Sequence, residues 1–157
     1  LQLPSGDAAS IRAAEAAGFR LMDVKMSLEW RSAGLPAGPE GAERLATEAD
    51  LPALRAIARV SHEDSRFFQD PRFDRGRAAA LFETWIEKSC RGWADQVWVA
   101  DVDGRPAGYI TLHREPEGAA RIGLLAVGAF ARGRGVGAGL LRRAQRGACD
   151  PGIAQRR

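Results

Sequence analysis

Apolar positions spaced three and four residues apart predict four helices along the chain. Residues 7–17 are rich in helix formers, and Gly18 is placed to end that helix. Thr47 and Asp50 resemble a capping box at the start of a second helix, and Asp74 can cap a third. The later helices carry apolar stripes, formed by Leu51, Leu54, Ile57 and Ala58, by Leu81, Phe82, Trp85 and Ile86, and by Val136, Leu140, Ala144 and Ala148.

Alternating and continuous apolar runs predict the strands. Residues 19–30 alternate apolar and polar side chains, which is typical of a strand with one buried face. Residues 96–100 and 107–113 read as two strands on either side of an Asp103-Gly104 hairpin signal. Residues 121–127 form a nearly all-apolar run, so we expect this strand to be central in its sheet.

The order of these elements is typical of a mixed α/β (α+β) fold, with a mostly antiparallel central sheet flanked by helices. Residues 31–43 are rich in Gly and Pro and are predicted to be a linker. They separate residues 1–30, interpreted as the remnant of a small N-terminal helix–strand domain, from a main domain over residues 44–157. The chain opens on Leu rather than Met, and residues 152–155 look like the approach to a further strand. We therefore expect the C-terminal part of this domain to be missing.

Composition narrows the class of protein. Of the 157 residues, 45% are hydrophobic and 27% charged, which is ordinary for a globular domain. No apolar run approaches the ~20 residues that a membrane helix needs, and no basic leader with an apolar core opens the chain. Two cysteines and two histidines fit neither a standard zinc site nor a disulfide scaffold. We therefore predict a cytoplasmic protein with no metal and no membrane partner.

The positive charge is concentrated near the end of the chain. The net charge is +3, yet the segment from Arg132 onward carries seven arginines and one acid, so the rest of the chain is net acidic. This excess predicts an anionic partner near the C-terminal end. Charge alone does not decide whether this basic segment meets a nucleotide, a nucleic acid or only solvent.

The candidate chemistry lies in residues 132–137, Arg-Gly-Arg-Gly-Val-Gly, which follow the apolar strand and open an amphipathic helix. Glycine lets a ligand approach the backbone closely, and the free amides and positive dipole end of a helix start bind phosphate oxygens. A Walker A loop would need Gly-Lys-Ser/Thr, and a Rossmann fingerprint would need a different glycine spacing. The sequence therefore predicts a phosphate-bearing small-molecule ligand.

The pattern Arg132-x-x-Gly135-x-Gly137 after a strand resembles the acyl-CoA pyrophosphate loop of the GNAT family of N-acetyltransferases, Gln/Arg-x-x-Gly-x-Gly/Ala. The resemblance implies acetyl-CoA as co-substrate and direct acetyl transfer to a primary amine, without an acyl-enzyme. It implies that strand amides hold the pantetheine arm and that the loop holds the pyrophosphate. The implied cofactor-binding residues are Leu125, Ala126, Val127, Arg132, Gly133, Arg134, Gly135, Val136, Gly137 and Ala138.

Further segments are similar to the bacterial dTDP-fucosamine acetyltransferase group within this family, which acetylates the 4-amine of a dTDP-linked amino-deoxy sugar. The similar segments are residues 49–54, 65–67, 85–87, 91–92, 108–112 and 121–126. The resemblance implies a small-molecule amine partner and no nucleic acid, and a homodimer stays open. Arg66, which suits a phosphate, and Tyr109 and His113, which share a strand face, are candidate substrate contacts. Their alternatives are an aromatic-anchored loop and a half-buried sheet face.

The catalytic residue stays unassigned. The family commonly uses a tyrosine in its last third as general acid, but the single tyrosine, Tyr109, lies in the hairpin. Three other functions stay open: a GNAT enzyme acting on another amine of a protein or small molecule, a non-catalytic CoA-binding fragment, and a basic nucleic-acid-binding module. The last predicts binding that falls steeply with salt. Trp85 and Trp98 are predicted to be core residues. Arg142, Arg143 and Arg146 are predicted to form a solvated helix face, with attraction of the CoA 3′-phosphate as the alternative.

Overall fold

The computed structural model describes residues 1–31, 41, 43–116 and 119–149. Most of the predicted linker and the strand approach at 152–155 lie outside the described residues. The helices are α1 (Ala8–Ala16), α2 (Leu51–Ser61), α3 (Arg66–Gln69), α4 (Arg75–Lys88) and α5 (Val136–Cys149). The strands are β1 (Glu43–Leu45), β2 (Gln96–Val102), β3 (Arg105–Arg114) and β4 (Ala120–Val127).

The four strands form one antiparallel sheet in the order β1-β2-β3-β4, with helices on both faces. Side chains alternate along β2, so Val97 and Val99 join the core under α2 and α4, whereas Trp98 joins the core under α5. This confirms the predicted mixed α/β class with an antiparallel sheet flanked by helices. None of the described helices is long and apolar enough to cross a membrane.

The predicted helix starts are present. The Asp74 carboxylate accepts a hydrogen bond from the Arg77 amide at 2.9 Å and caps α4. Thr47 and Asp50 form the predicted capping box, and Pro52 occupies the first turn of α2. After α4 the chain makes a wide π-type turn over Ser89–Trp93, which Gly92 closes with a φ of +101°.

The structure corrects the strand predicted over residues 19–30. Helix α1 forms as expected, capped by Asp7 and followed by Gly18 at a φ of +84°, but none of its side chains is buried. Residues 19–31 have no strand, and Leu21 and Leu28 are 82% and 89% exposed. An isolated alternating segment is not stable as a strand, because its backbone groups need a neighbouring strand and none of the described strands pairs with it.

The sheet edges also differ from expectation. Strand β1, with only three residues, was not predicted, because it is too short to show a period. Strand β4 was expected to be central but is the outer strand of the described sheet, and Ile122 and Leu125 are each 39% exposed. An apolar run predicts that the faces of a strand can be buried; it does not predict whether both edges are paired.

Candidate functional site

The loop between β4 and α5 is open on its outer side. Gly133 and Gly135 adopt left-handed φ angles of +75° and +79°. A Cβ added at either position would meet no atom within 4 Å. The conformation therefore favours glycine at both positions, and a side chain there would project into free space.

The start of α5 presents unpaired amides to this space. The first bond of the helix runs from Gly139 N to Gly135 O at 3.0 Å. The amides of residues 135–138 therefore have no acceptor within the helix, and the positive end of the helix dipole lies at the same place. This arrangement can bind phosphate oxygens.

The loop is fastened to the sheet at its base. Ala131 is fully buried, and its amide donates to Gly128 O at 2.9 Å. The Arg132 Nε donates to Val127 O at 3.3 Å, so this arginine folds back over the end of β4. Arg134 pairs with Asp103 of the β2–β3 hairpin at 3.1 Å through two exposed side chains. The loop therefore has a fixed base and a positively charged rim.

The outer edge of β4 is the second part of the candidate site. Gly128 N donates to Ala107 O at 2.8 Å. Opposed residues of an antiparallel pair alternate between bonded and non-bonded pairs. In the β3–β4 register, Ala126 therefore directs its backbone groups at β3, whereas Leu125 and Val127 direct theirs away from it. No described strand lies on that side, so these two amides are available to a ligand.

The three candidate substrate contacts have different surroundings. Tyr109 is fully buried, and its hydroxyl lies 3.3 Å from His62 Nε2. Burial raises the pKa of Tyr109, so the phenol is protonated. His113 is half-buried beside Trp93, and Arg66 is exposed, with its guanidinium 4.7 Å from the centre of the Phe67 ring. Tyr109 therefore belongs to the core, and His113 and Arg66 reach the surface.

His62, which no sequence motif singles out, lies beside the Tyr109 hydroxyl. Its ring stacks on Phe82 at 4.3 Å between centroids, and burial lowers its pKa. A neutral imidazole beside the Tyr109 hydroxyl can accept or donate a proton. The sequence feature that marks His62 is its place directly after an amphipathic helix and before the aromatic residues 67 and 68.

The arginines of α5 were predicted to form a solvated face, and the structure shows them partly buried instead. Arg142, Arg143 and Arg146 are half-buried, and the Arg143 guanidinium lies 3.7 Å from the centre of the Trp98 ring. The charge of arginine favours a solvated position, but its planar group also packs on aromatic rings. The predicted burial of Trp98 is confirmed, whereas Trp85 is half-buried.

Metal ligands and thiols are the remaining candidate groups among the described residues. In the part of the chain that the structure describes, no group of three or more His, Cys, Asp or Glu side chains could hold a metal ion. Cys90 is half-buried, and burial raises the pKa of its thiol to about 11. The thiol is therefore protonated near neutral pH and is a poor nucleophile.

Residues 52–156 match the sequence model of the acetyltransferase (GNAT) family. This match covers more than half of the chain, and the chain belongs to the GNAT acetyltransferase family. A solved structure described as histone acetyltransferase HPA2 and related acetyltransferase, from Corynebacterium glutamicum, is 28% identical. It aligns with a TM-score of 0.56 over 70% of this chain and 72% of that one. The fold and the sequence therefore assign the same family.

Two curated relatives have names that belong to carbohydrate biochemistry. The dTDP-fucosamine acetyltransferase of Escherichia coli O6:H1 is 29% identical over 147 residues, which cover 91% of this chain and 60% of that protein. The spore coat polysaccharide biosynthesis protein SpsD of Bacillus subtilis is 36% identical over 69 residues, 43% of this chain and 24% of that protein. The matched residues thus span less than two thirds of the length of each relative.

Proposed function

We propose that this chain binds acetyl-CoA and transfers the acetyl group to a primary amine, the 4-amino group of a dTDP-linked amino-deoxy sugar. One observation carries the proposal: the glycine-built loop with unpaired helix-start amides adjoins the end of β4, whose outer edge is unpaired among the described strands. This combination offers donors for a diphosphate and for an extended amide-containing arm in one continuous groove.

The residues divide between two tasks. The amides of residues 135–138 and the side chains of Arg132 and Arg134 suit the pyrophosphate, with Gly133 and Gly135 keeping the approach clear. The outward amides of Leu125 and Val127 suit the pantetheine arm and the thioester oxygen. The backbone groups of Ala126 are directed at β3. Ala126 therefore contributes to the packing that holds β4 in place.

Acetyl-CoA supplies the activated acetyl group. The neutral amine nitrogen attacks the thioester carbonyl, the C–N bond forms, the C–S bond breaks, and the proton released by the amine neutralises the leaving thiolate. Donors aimed at the carbonyl oxygen stabilise the charge that develops there. In this scheme the chain's contribution is to position both partners and to hold the oxygen.

The proposed acceptor rests on the two curated relatives and on the surface positions of Arg66 and His113. An arginine fork suits the diphosphate of a nucleotide sugar. Burial and the neighbouring Arg121 lower the pKa of His113, so its imidazole is neutral near pH 7 and can accept a proton. Free Cys90 and Cys149 agree with the reducing cytoplasm that we propose as its location.

Calorimetry with acetyl-CoA tests the binding step. In Gly135→Asp a carboxylate enters the proposed phosphate space, and we expect affinity to fall by about 100-fold, equivalent to about 2.7 kcal/mol. Gly18→Asp is the matched control, because Gly18 has a similar φ of +84° and open surroundings. Gly18 is also far from Gly135 in the sequence. Equal affinity in Gly135→Asp and the parent would contradict the proposed site.

An acetyl-transfer assay tests the acceptor. We expect transfer to a dTDP-4-amino sugar and none to peptide amines. Transfer to peptides instead would assign a protein amine, as the name of the Corynebacterium neighbour suggests for that protein. Acetyl-CoA binding without transfer would identify a non-catalytic binding module, and salt-sensitive RNA binding without acetyl-CoA binding would identify a nucleic-acid partner.

A further inference from the structure

Strands β3 and β4 pair with one irregularity. Ile110 lies opposite Leu125, and Leu112 lies opposite Ile122. Thr111 is therefore the single residue between two pairs, and it opposes both Gly123 and Leu124. Two residues opposite one define a β-bulge in β4, which bends the strand and increases its twist.

The Thr111 side chain holds this bulge. Thr111 is fully buried, and its Oγ1 accepts a hydrogen bond from the Leu124 amide at 2.8 Å. An amide of the inserted pair is thus satisfied by a hydroxyl of the neighbouring strand. A buried N–H that loses its acceptor costs about 1–3 kcal/mol, so removing the hydroxyl favours another pairing.

Gly123 makes room for this contact. A Cβ at Gly123 would lie 2.8 Å from Thr111 Oγ1 and 2.5 Å from His113 Nε2. The side chains of Thr111 and His113 therefore both lie directly over Gly123. The bulge depends on a hydroxyl on one strand and a missing side chain on the other.

The bulge decides which amides of β4 face outward. If the pairing of Leu112 with Ile122 continued along the two strands without the extra residue in β4, Tyr109 would lie opposite Leu125. The backbone groups of Leu125 and Val127 would then turn toward β3, and those of Ala126 would turn outward. A shift of one residue therefore exchanges the donors that β4 presents along its free edge.

We propose that Thr111 is a positioning residue, whose hydroxyl holds the β4 bulge and so keeps the Leu125 and Val127 amides on the open edge where acetyl-CoA binds. The inference rests on the proposed function for the ligand, but the position of the amides can be measured without it. Thr111 itself is buried and touches no ligand in this account.

Amide hydrogen exchange by NMR tests the positioning directly. In the parent we expect slow exchange at Ala126 and fast exchange at Leu125 and Val127. In Thr111→Val, which keeps the shape and removes the acceptor, we expect this contrast to be lost or reversed. Thr111→Ser keeps the oxygen and should restore the parent pattern. A parent with protected Leu125 and Val127, or a Thr111→Val chain with an unchanged pattern, would overturn the inference.

Calorimetry with acetyl-CoA tests the consequence. We expect Thr111→Val to lose about tenfold in affinity and Thr111→Ser to keep the parent value. Ile86→Val, a fully buried change in α4 of comparable cost, should lower Tm without altering affinity. If Thr111→Val does not fold, Gly123→Ala, which presses on the same oxygen, takes its place. If the parent binds acetyl-CoA and the affinities of Thr111→Val and Ile86→Val do not differ, only the inference about Thr111 is contradicted. If the parent does not bind acetyl-CoA, the proposed function itself is contradicted.

Discussion

At the scale of single residues, Arg44 joins three parts of the fold. Its guanidinium donates to both oxygens of Asp50 at 2.7 and 2.8 Å, and to Asp101 at 2.7 and 3.0 Å. Asp50 also accepts from the Thr47 amide at 2.7 Å, so β1, the start of α2 and the end of β2 meet at one cation. The sequence pattern predicted the capping role of Asp50, but it could not reveal a partner on a strand that was too short to recognise.

Replacing Arg44 should destabilise the protein in a pH-dependent way. The Arg44 hydrogen bonds hold the pKa of Asp50 well below its usual value of 3.8. Ionised Asp50 therefore stabilises the fold fully above about pH 4, and this stabilisation is lost as pH falls through the lowered pKa. We expect Arg44→Met to cost about 2 kcal/mol at pH 7, reduced from the value for a fully buried pair because Arg44 is partly exposed.

Urea unfolding at pH 7, 4 and 2 measures this effect. The gap in free energy of unfolding between parent and Arg44→Met should stay constant from pH 7 to 4 and narrow below pH 4. Arg121→Met, which breaks the exposed pair with Glu115, is the control and should cost less than about 0.5 kcal/mol. A gap that is the same at pH 7 and pH 2 would show that Asp50 is not the group involved.

At the scale of elements, local periodicity predicted what depends on local sequence. Helices α2 and α4 and the β2–β3 hairpin follow from apolar spacing and capping residues. The strand predicted over residues 19–30 was wrong, and β4, which was expected to be central, is the outer strand of the described sheet. Both outcomes depend on which strand lies alongside. Pairing partners are set by the whole sheet, and the spacing of apolar residues within one segment does not contain them.

Helix α5 packs on the sheet through the position of Gly108 in β3. A Cβ at Gly108 would lie 2.8 Å from the Ala126 carbonyl oxygen and 3.2 Å from side-chain atoms of Leu140 and Val136. The nearest of these atoms belongs to the backbone of β4, which cannot yield as a side chain would. We therefore expect Gly108→Ala to destabilise the protein by about 1–3 kcal/mol.

Thermal and urea unfolding of Gly108→Ala tests this packing. Gly137→Ala is the matched control, because its Cβ would come no closer than 3.6 Å to Val127, and alanine favours a helix. The control should be neutral or slightly stabilising. A Gly108→Ala chain as stable as the parent would mean that α5 does not lie as close to the sheet as described.

At the scale of the whole molecule, the two halves of the candidate site differ in how far sequence can predict them. The loop at residues 132–138 is contiguous, so its glycines, arginines and helix start appear together in the sequence. The outward direction of the Leu125 and Val127 amides depends on Thr111, thirteen residues before its partner Leu124. The burial of Tyr109 depends on helices that fold over the sheet from elsewhere in the chain. Such features need the assembled structure.

The assembled structure also predicts which part of the chain the folded core needs. Helix α1 buries no side chain, and residues 19–31 are exposed apart from half-buried Met22. A chain that begins at residue 41 should therefore keep the parent Tm within about 2 °C, since residues 1–31 contribute few buried contacts. A chain that begins at residue 51 also loses β1, the capping box and Arg44, and its Tm should fall by about 10 °C or more. Calorimetric melting of the three chains measures the difference. A large loss already in the first deletion would show that residues 1–40 stabilise the core, and the predicted domain boundary would then be wrong.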